Sequence, residues 1–172
     1  IRDQADLLAT AAKQHRRADA QAYDVDIDLG SGRRLTGTVS PVFGDRLVSV
    51  TYSKLDGKHL LESWIPLLAL TAHDPSRDWS AVCIGRAKRG TTPRLEGLGP
   101  PEDAVEVLRE LVAIYDAGRR EPIPLPIKTS YAWAAAHPLR RGRHSWLRRS
   151  GNPCWDQDVL ARVRGQGDRR RA

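Results

Sequence analysis

Four apolar residues on alternate positions, Tyr23, Val25, Ile27 and Leu29, interleave with the carboxylates of Asp24, Asp26 and Asp28. A side-chain period of two sends one set to each face of an extended chain, so this segment reads as a half-buried strand. Gly30-Ser31-Gly32 follows at once and supplies the positive-φ residues of a hairpin turn. A second strand is expected over residues 34–43, a turn at Gly44-Asp45, and a third strand over 46–53 with Leu47, Val48 and Val50 apolar. Three consecutive antiparallel strands are therefore the centre of the expected sheet.

The flanking segments add helices. Ala5, Leu8, Ala11 and Ala12 recur at helical spacing and predict a helix over 2–17. After Asp56-Gly57, residues 59–70 predict a nearly all-apolar buried helix, in which Pro66 makes a kink or marks the true start. Residues 79–85 predict a short apolar strand. Pro100-Pro101 opens a further helix, with Glu102 and Asp103 near its positive end, Val105, Leu108, Leu111 and Val112 as its stripe, and Gly118 as its C-cap. Residues 121–127 alternate Pro with apolar residues and predict an extended segment. Thr129 or Ser130 then caps a final helix through about Ala136. The expected class is α/β, more narrowly α+β: helix, three antiparallel strands, helix, strand, and additional C-terminal helices. At 172 residues the chain suits one domain, assigned to 1–137. Beyond His137 the apolar periodicity fails, and 138–172 is expected to be a poorly ordered Arg-rich tail with at best one short helix around 157–164. Trp64, Trp79, Trp133 and Cys83 sit in apolar contexts and are expected in the core.

A formal charge of +7 invites a nucleic-acid reading, but its distribution matters more than its size. Residues 138–172 hold ten Arg against three acids, which leaves 18 basic and 18 acidic residues in 1–137. Arg140, Arg141 and Arg143 begin a run suited to phosphate, with Trp146 and Trp155 placed to stack on bases. The competing reading of that run is a solvated tail. Lys128, beside the Thr129 and Ser130 amides at a helix start, is a second candidate anion site, and helix capping alone also accounts for it. Cys83 and Cys154 fall in no metal or CxxC spacing, so a reduced, cytoplasmic setting is expected. The longest apolar run, 64–72, is far shorter than the ~20 residues that span a bilayer, and no signal peptide or membrane association is expected. The chain begins at Ile1 and contains no Met, so it is expected to be a piece of a longer polypeptide or to have a non-native start.

Two strand motifs carry the chemistry. Gly37-Thr38-Val39-Ser40 resembles the Gly-x-x-Asp strand of the PD-(D/E)XK, or restriction-endonuclease-like, nucleases, and Val50-Thr51-Tyr52-Ser53 resembles their Asp-Tyr-Lys strand as the RecB nuclease family writes it. The order helix, three antiparallel strands, helix, strand is also the order of that fold. Its chemistry needs carboxylates from adjacent strands to hold Mg²⁺, with a Lys two residues after the second acid. Here Ser40, Thr51 and Ser53 stand where Asp, Asp and Lys are required. Hydroxyls bring no charge to compensate Mg²⁺ for lost water, so no catalytic residue and no metal is expected. Lys54 comes one position late and is expected on the opposite sheet face.

The flanking segments sharpen the resemblance. Leu35-Thr36-Gly37-Thr38-Val39, Arg46-Leu47-Val48, the run from Leu61-Glu62-Ser63-Trp64 through Thr71-Ala72, and the run from Pro122-Ile123-Pro124 through Tyr131-Ala132-Trp133 together resemble the C-terminal domain of the RecC family, over roughly 23–136. RecC is the gamma subunit of exodeoxyribonuclease V, and the likeness is to its form in high-GC bacteria. The resemblance implies a nuclease-like fold without nuclease activity. It also implies RecB-type and RecD-type helicase partners, DNA ends as the substrate of the complex, and ATP and Mg²⁺ chemistry in those partners with no cofactor in this chain. The family continues with more aromatic- and acid-containing sequence where this chain is Arg-rich, which marks a divergent end or a reading-frame change in the source gene.

Two other functions compete. Asp45 and Glu62 flank the lost site and could serve as migrated ligands of an active metal-dependent nuclease. A stand-alone basic nucleic-acid-binding module would work through 138–172, with steeply salt-dependent binding. Asp24, Asp26 and Asp28 project from one strand face about 7 Å apart, which suits a solvated face better than a metal cluster. The five histidines share no spacing with Cys or acids and read as surface or satisfied helix-end residues.

Overall fold

The computed structural model describes residues 2–123 and 126–136. Helix α1 (Arg2–His15) leads into β1 (Ala20–Gly30), β2 (Arg33–Phe43) and β3 (Arg46–Lys54). Helix α2 (Gly57–His73), β4 (Ser80–Arg86), β5 (Pro93–Leu98), α3 (Ala104–Arg120) and α4 (Ile127–Ala136) follow. The strands form one mixed sheet in the order β1-β2-β3-β4-β5, so the α+β class holds. The β1–β2 turn has Gly30, Ser31 and Gly32 all at positive φ (79°, 53° and 72°), the conformation the sequence anticipates.

β3 and β4 run parallel, from Arg46↔Ser80 to Lys54↔Arg86, whereas the other neighbours are antiparallel. A parallel pair cannot be joined by a tight turn, and α2 is the crossover that joins it. The alternation in β1 buries Val25, Ile27 and Leu29 against α2 and α3, with Val42, Leu47, Cys83, Leu60, Trp64, Leu67 and Leu108 in the same core. On the opposite face, Leu8, Ala11 and Ala12 of α1 pack on Val48, Val82 and Ile84. β4 is thus covered on both faces, which is why its run Ala81-Val82-Cys83-Ile84 is continuously apolar rather than alternating.

Several elements depart from expectation for local reasons. α2 begins at Gly57: the Asp56 carboxylate accepts from the Lys58 N–H, and His59 Nδ1 accepts from the Asp56 N–H. Pro66 therefore lies inside the helix and does not start it. α3 runs through Gly118 to Arg120, closing with the Glu121 N–H on the Ala117 carbonyl, so Gly118 is not its cap. β5 carries almost no apolar alternation; it is an edge strand, and Pro93 at its first position leaves no ladder donor to lose. α4 starts at Ile127, with the Ser130 N–H on the Pro126 carbonyl, so Thr129 and Ser130 lie within the first turn instead of capping it. Trp64 and Trp79 are in the core, but Trp133 is 61% exposed. Tyr131 is an α4 residue packed against α2, and Trp133 lies roughly 200° further round the helix. The tail 138–172, including Arg140, Arg141, Arg143 and the 157–164 helix, lies outside the described residues.

Candidate functional site

The β2–β3 hairpin is zipped only at its closed end, by Val42↔Leu47 and Phe43↔Arg46. Beyond those pairs the strands part and leave a cleft of about 350 Å³. Its walls include Gly37, Val39 and Ser40 of β2 and Ser49 of β3, and α2 closes it with Glu62 and Ser63. The sequence explains the parting locally. Pro41 has no N–H to give a ladder, and a Cβ added at Gly37 would meet nothing within 4 Å. Ser63 is 3% exposed, the one buried polar residue of the described core, and its hydroxyl lies 2.7 Å from that of Ser49. The pair ties α2 to β3 at the cleft.

Of the three positions expected to mark a lost active site, Ser40 stands exposed on the cleft wall, and Thr51 and Ser53 lie outside it. The cause is in the sheet. After Val50↔Ile84 the next β3–β4 pair is Lys54↔Arg86, so four steps along β3 match two along β4. In this irregular stretch the Ser53 N–H donates to Thr51 Oγ1 at 3.1 Å. A Cβ built on Gly85 would come within 3.0 Å of Thr51 Cγ2, which places the threonine methyl over that glycine of β4.

The donors present do not fit a divalent cation. Glu62 is the single carboxylate lining the cleft, it is exposed, and the other lining residues are apolar or bear hydroxyls. Mg²⁺ sites are built on carboxylates in near-octahedral geometry. Asp45 is occupied elsewhere: it pairs with Arg77, whose guanidinium also stacks on Trp79 at 4.3 Å and on Tyr23 at 5.3 Å. Among the described residues no group of three or more His, Cys, Asp or Glu could hold a metal ion.

Several other titratable groups are engaged in local structure. Asp24 accepts from Thr38 Oγ1 at 2.7 Å, and Asp28 from the Gly30 N–H at 2.8 Å. Arg34 holds Asp26 below the usual carboxylate range. These three carboxylates form a solvated, hydrogen-bonded face. Burial pushes the Cys83 thiol up, as suits a core residue and not a nucleophile. His59 belongs to the α2 cap, and His73 Nδ1 accepts from the Asp26 N–H at 3.4 Å. His15 departs from that pattern: its buried Nε2 has no hydrogen-bond partner among the described residues.

Lys128 and Thr129 are exposed in the first turn of α4. That helix is seated on α2 by Tyr131, which stands so close to Gly57 that an added Cβ would be 2.9 Å from it. The sequence reading missed the open hairpin and the Ser49–Ser63 tie. The available signals were Gly37 and Pro41 in one strand and a polar Ser63 in an otherwise apolar helix.

An α+β domain with a largely apolar cleft at a parted hairpin, bearing several hydroxyls and one carboxylate among the described residues, is the class that fold and site define. Residues 1–138 match the sequence profile of the RecC C-terminal domain, and the chain belongs to that family. It is 76% identical over 136 residues to the RecBCD enzyme subunit RecC of Mycolicibacterium smegmatis, a match covering 79% of this chain and 12% of that protein. It is 54% identical over 174 residues to the RecBCD enzyme subunit RecC of Mycobacterium tuberculosis, covering 98% of this chain and 16% of that protein, so this match reaches into the Arg-rich segment. The chain thus spans 12–16% of the length of these relatives. No helix among the described residues is long and apolar enough to cross a membrane.

Proposed function

We propose that this chain is a nuclease-like domain without nuclease chemistry, part of a RecC-type subunit of the RecBCD helicase–nuclease. Its work is to contact RecB-type and RecD-type subunits and to guide DNA strands during double-strand-break repair and recombination. ATP and Mg²⁺ chemistry belongs to those partners. One observation carries the reading. The element order helix, three strands, helix, strand encloses a cleft at the position of the Gly-x-x-Asp-like strand, and that cleft offers one carboxylate where metal catalysis needs several. Family membership and the relatives' naming as RecBCD enzyme subunits support the assembly.

Linear DNA incubated with the purified chain and Mg²⁺ or Mn²⁺ tests it. The DNA is expected to remain intact. Cleavage that disappears on Asp45→Asn or Glu62→Gln would establish migrated ligands and overturn the proposal.

A further inference from the structure

β3 and β4 finish side by side, with Lys54 and Arg86 as ladder partners and the Leu55 N–H on the Arg86 carbonyl at 3.0 Å. α2 starts immediately, placing Lys58 in its exposed first turn. The β4–β5 hairpin crosses the same end between Arg86 and its partner Pro93, and carries exposed Lys88 and Arg89 with no acid between them. Tyr131 of α4 rests on Gly57, which brings Lys128, one turn away, to the same end. Four elements and one hairpin thus converge six cations: Lys54, Lys58, Arg86, Lys88, Arg89 and Lys128.

Their state of pairing separates them from five other arginines, though Lys13 and Arg17 of the far segment share it. Arg33, Arg34, Arg77, Arg94 and Arg109 each hold a carboxylate. Among the described residues, Lys54, Lys58, Lys88, Arg89 and Lys128 have no ion pair. Of the acids near this end, Asp56 is engaged in the α2 cap and Glu96 with Arg94, while exposed Asp3 lies next to Gln4, to which Arg86 donates at 3.3 Å. Beside these cations lies Tyr52, 43% exposed, with the Arg86 guanidinium 4.8 Å from its ring centre. The first 137 residues are electrically neutral as a whole, so this is a local concentration of charge and not a share of a general excess.

We propose that this end of the sheet binds the phosphate backbone of single-stranded DNA, with Tyr52 as a surface for one base. The proposal rests on the reading that the domain guides DNA strands, and it names the surface that does so. Unpaired cations meet a regularly charged polymer without first breaking ion pairs. A part-exposed aromatic ring among them, with Arg86 over it, favours a strand with unstacked bases over a duplex.

The full chain is titrated by fluorescence anisotropy against a mixed-sequence single strand and the matching duplex over a range of salt. The quadruple variant Lys54→Ala, Lys58→Ala, Lys88→Ala, Arg89→Ala is expected to make log K against log salt shallower by about 3 for the single strand. A control variant, Lys13→Ala, Arg17→Ala, Arg119→Ala, Arg120→Ala, removes equal charge elsewhere and is expected to keep the slope. Tyr52→Leu is expected to weaken single-strand binding about tenfold while leaving duplex binding and the salt slope unchanged. Thermal melting checks that each variant folds.

Equal losses in the two quadruple variants, or no loss in either, overturn the proposal and leave binding to diffuse charge or to 138–172. Preferential capture of polyglutamate over DNA also overturns it, in favour of an acidic protein partner. A chain that binds no DNA fails this proposal, whereas the non-catalytic reading stands or falls separately on the cleavage assay.

Discussion

The seating of α4 on α2 can be tested by giving Gly57 a side chain. A Cβ built there lies 2.9 Å from both Cβ and Cγ of Tyr131 and 3.2 Å from its Cδ2. Carbon atoms pack comfortably at about 3.5–4.0 Å, so the tyrosine must retreat by roughly 0.6 Å or more. The near atoms include the tyrosine's own Cβ, fixed to the α4 backbone, and rotating the ring does not relieve the overlap. Overpacking of this kind costs about 1–3 kcal/mol. Against it stands the helix-propensity gain of Ala over Gly, at most about 1 kcal/mol and smaller in a first turn. Gly57→Ala is therefore expected to destabilise the domain by about 0.5–2 kcal/mol in the native background. With Tyr131→Ala already in place the clash is gone, and the same substitution should be neutral or slightly stabilising. Urea unfolding followed by tryptophan fluorescence of buried Trp64 and Trp79 measures all four corners of the cycle. A coupling energy near zero, with Gly57→Ala costing the same in both backgrounds, would refute the seating and remove the reason for placing Lys128 beside Lys58.

Two further outcomes follow from the same geometry. Burial first, then Arg46 and Arg17, lower the pKa of His15 from its ordinary 6.5, so the unfolded chain takes up a proton there before the folded one does. Stability from this group is complete above 6.5 and falls as pH drops from 6.5 toward the lowered folded value; urea midpoints should show that slope in the native chain and a flatter one in His15→Gln. Asp26, Asp74 and Asp116, whose folded values are depressed, lose their contribution only as pH falls below about 3.8, outside this window. Gly85→Ala should cost about 1–3 kcal/mol, since its Cβ would meet Thr51 Cγ2 at 3.0 Å and Leu55 Cβ at 3.1 Å. Adding Thr51→Ser removes that methyl and should restore part of the urea midpoint; no recovery would mean that Thr51 points elsewhere.

Much of the architecture is readable in the chain because it rests on local rules. The alternation at Tyr23, Val25, Ile27 and Leu29, the Gly30-Ser31-Gly32 turn and the apolar run of β4 each need only a few neighbouring residues to declare themselves. β5 was invisible because an edge strand is stabilised by its partner's backbone, and its side chains need no pattern. Trp133 was misread for a related reason: an aromatic residue announces apolar surface, not the direction in which a helix will present it.

The candidate site divides in the same way. Ser40, Thr51 and Ser53 declare in sequence that carboxylates and a lysine are missing, because donor chemistry is a property of residue type. Only the tertiary structure decided that Ser40 faces a cleft while Thr51 covers Gly85, since a register break in β3 and a parted hairpin depend on strands far apart in the chain. Charge followed the same rule. Composition located the net excess in 138–172, yet Lys54, Lys58, Lys88, Arg89 and Lys128, spread over 75 positions, become one surface only when the ends of β3 and β4 meet the starts of α2 and α4. Residue chemistry is written along the chain, and proximity between distant residues is settled by packing.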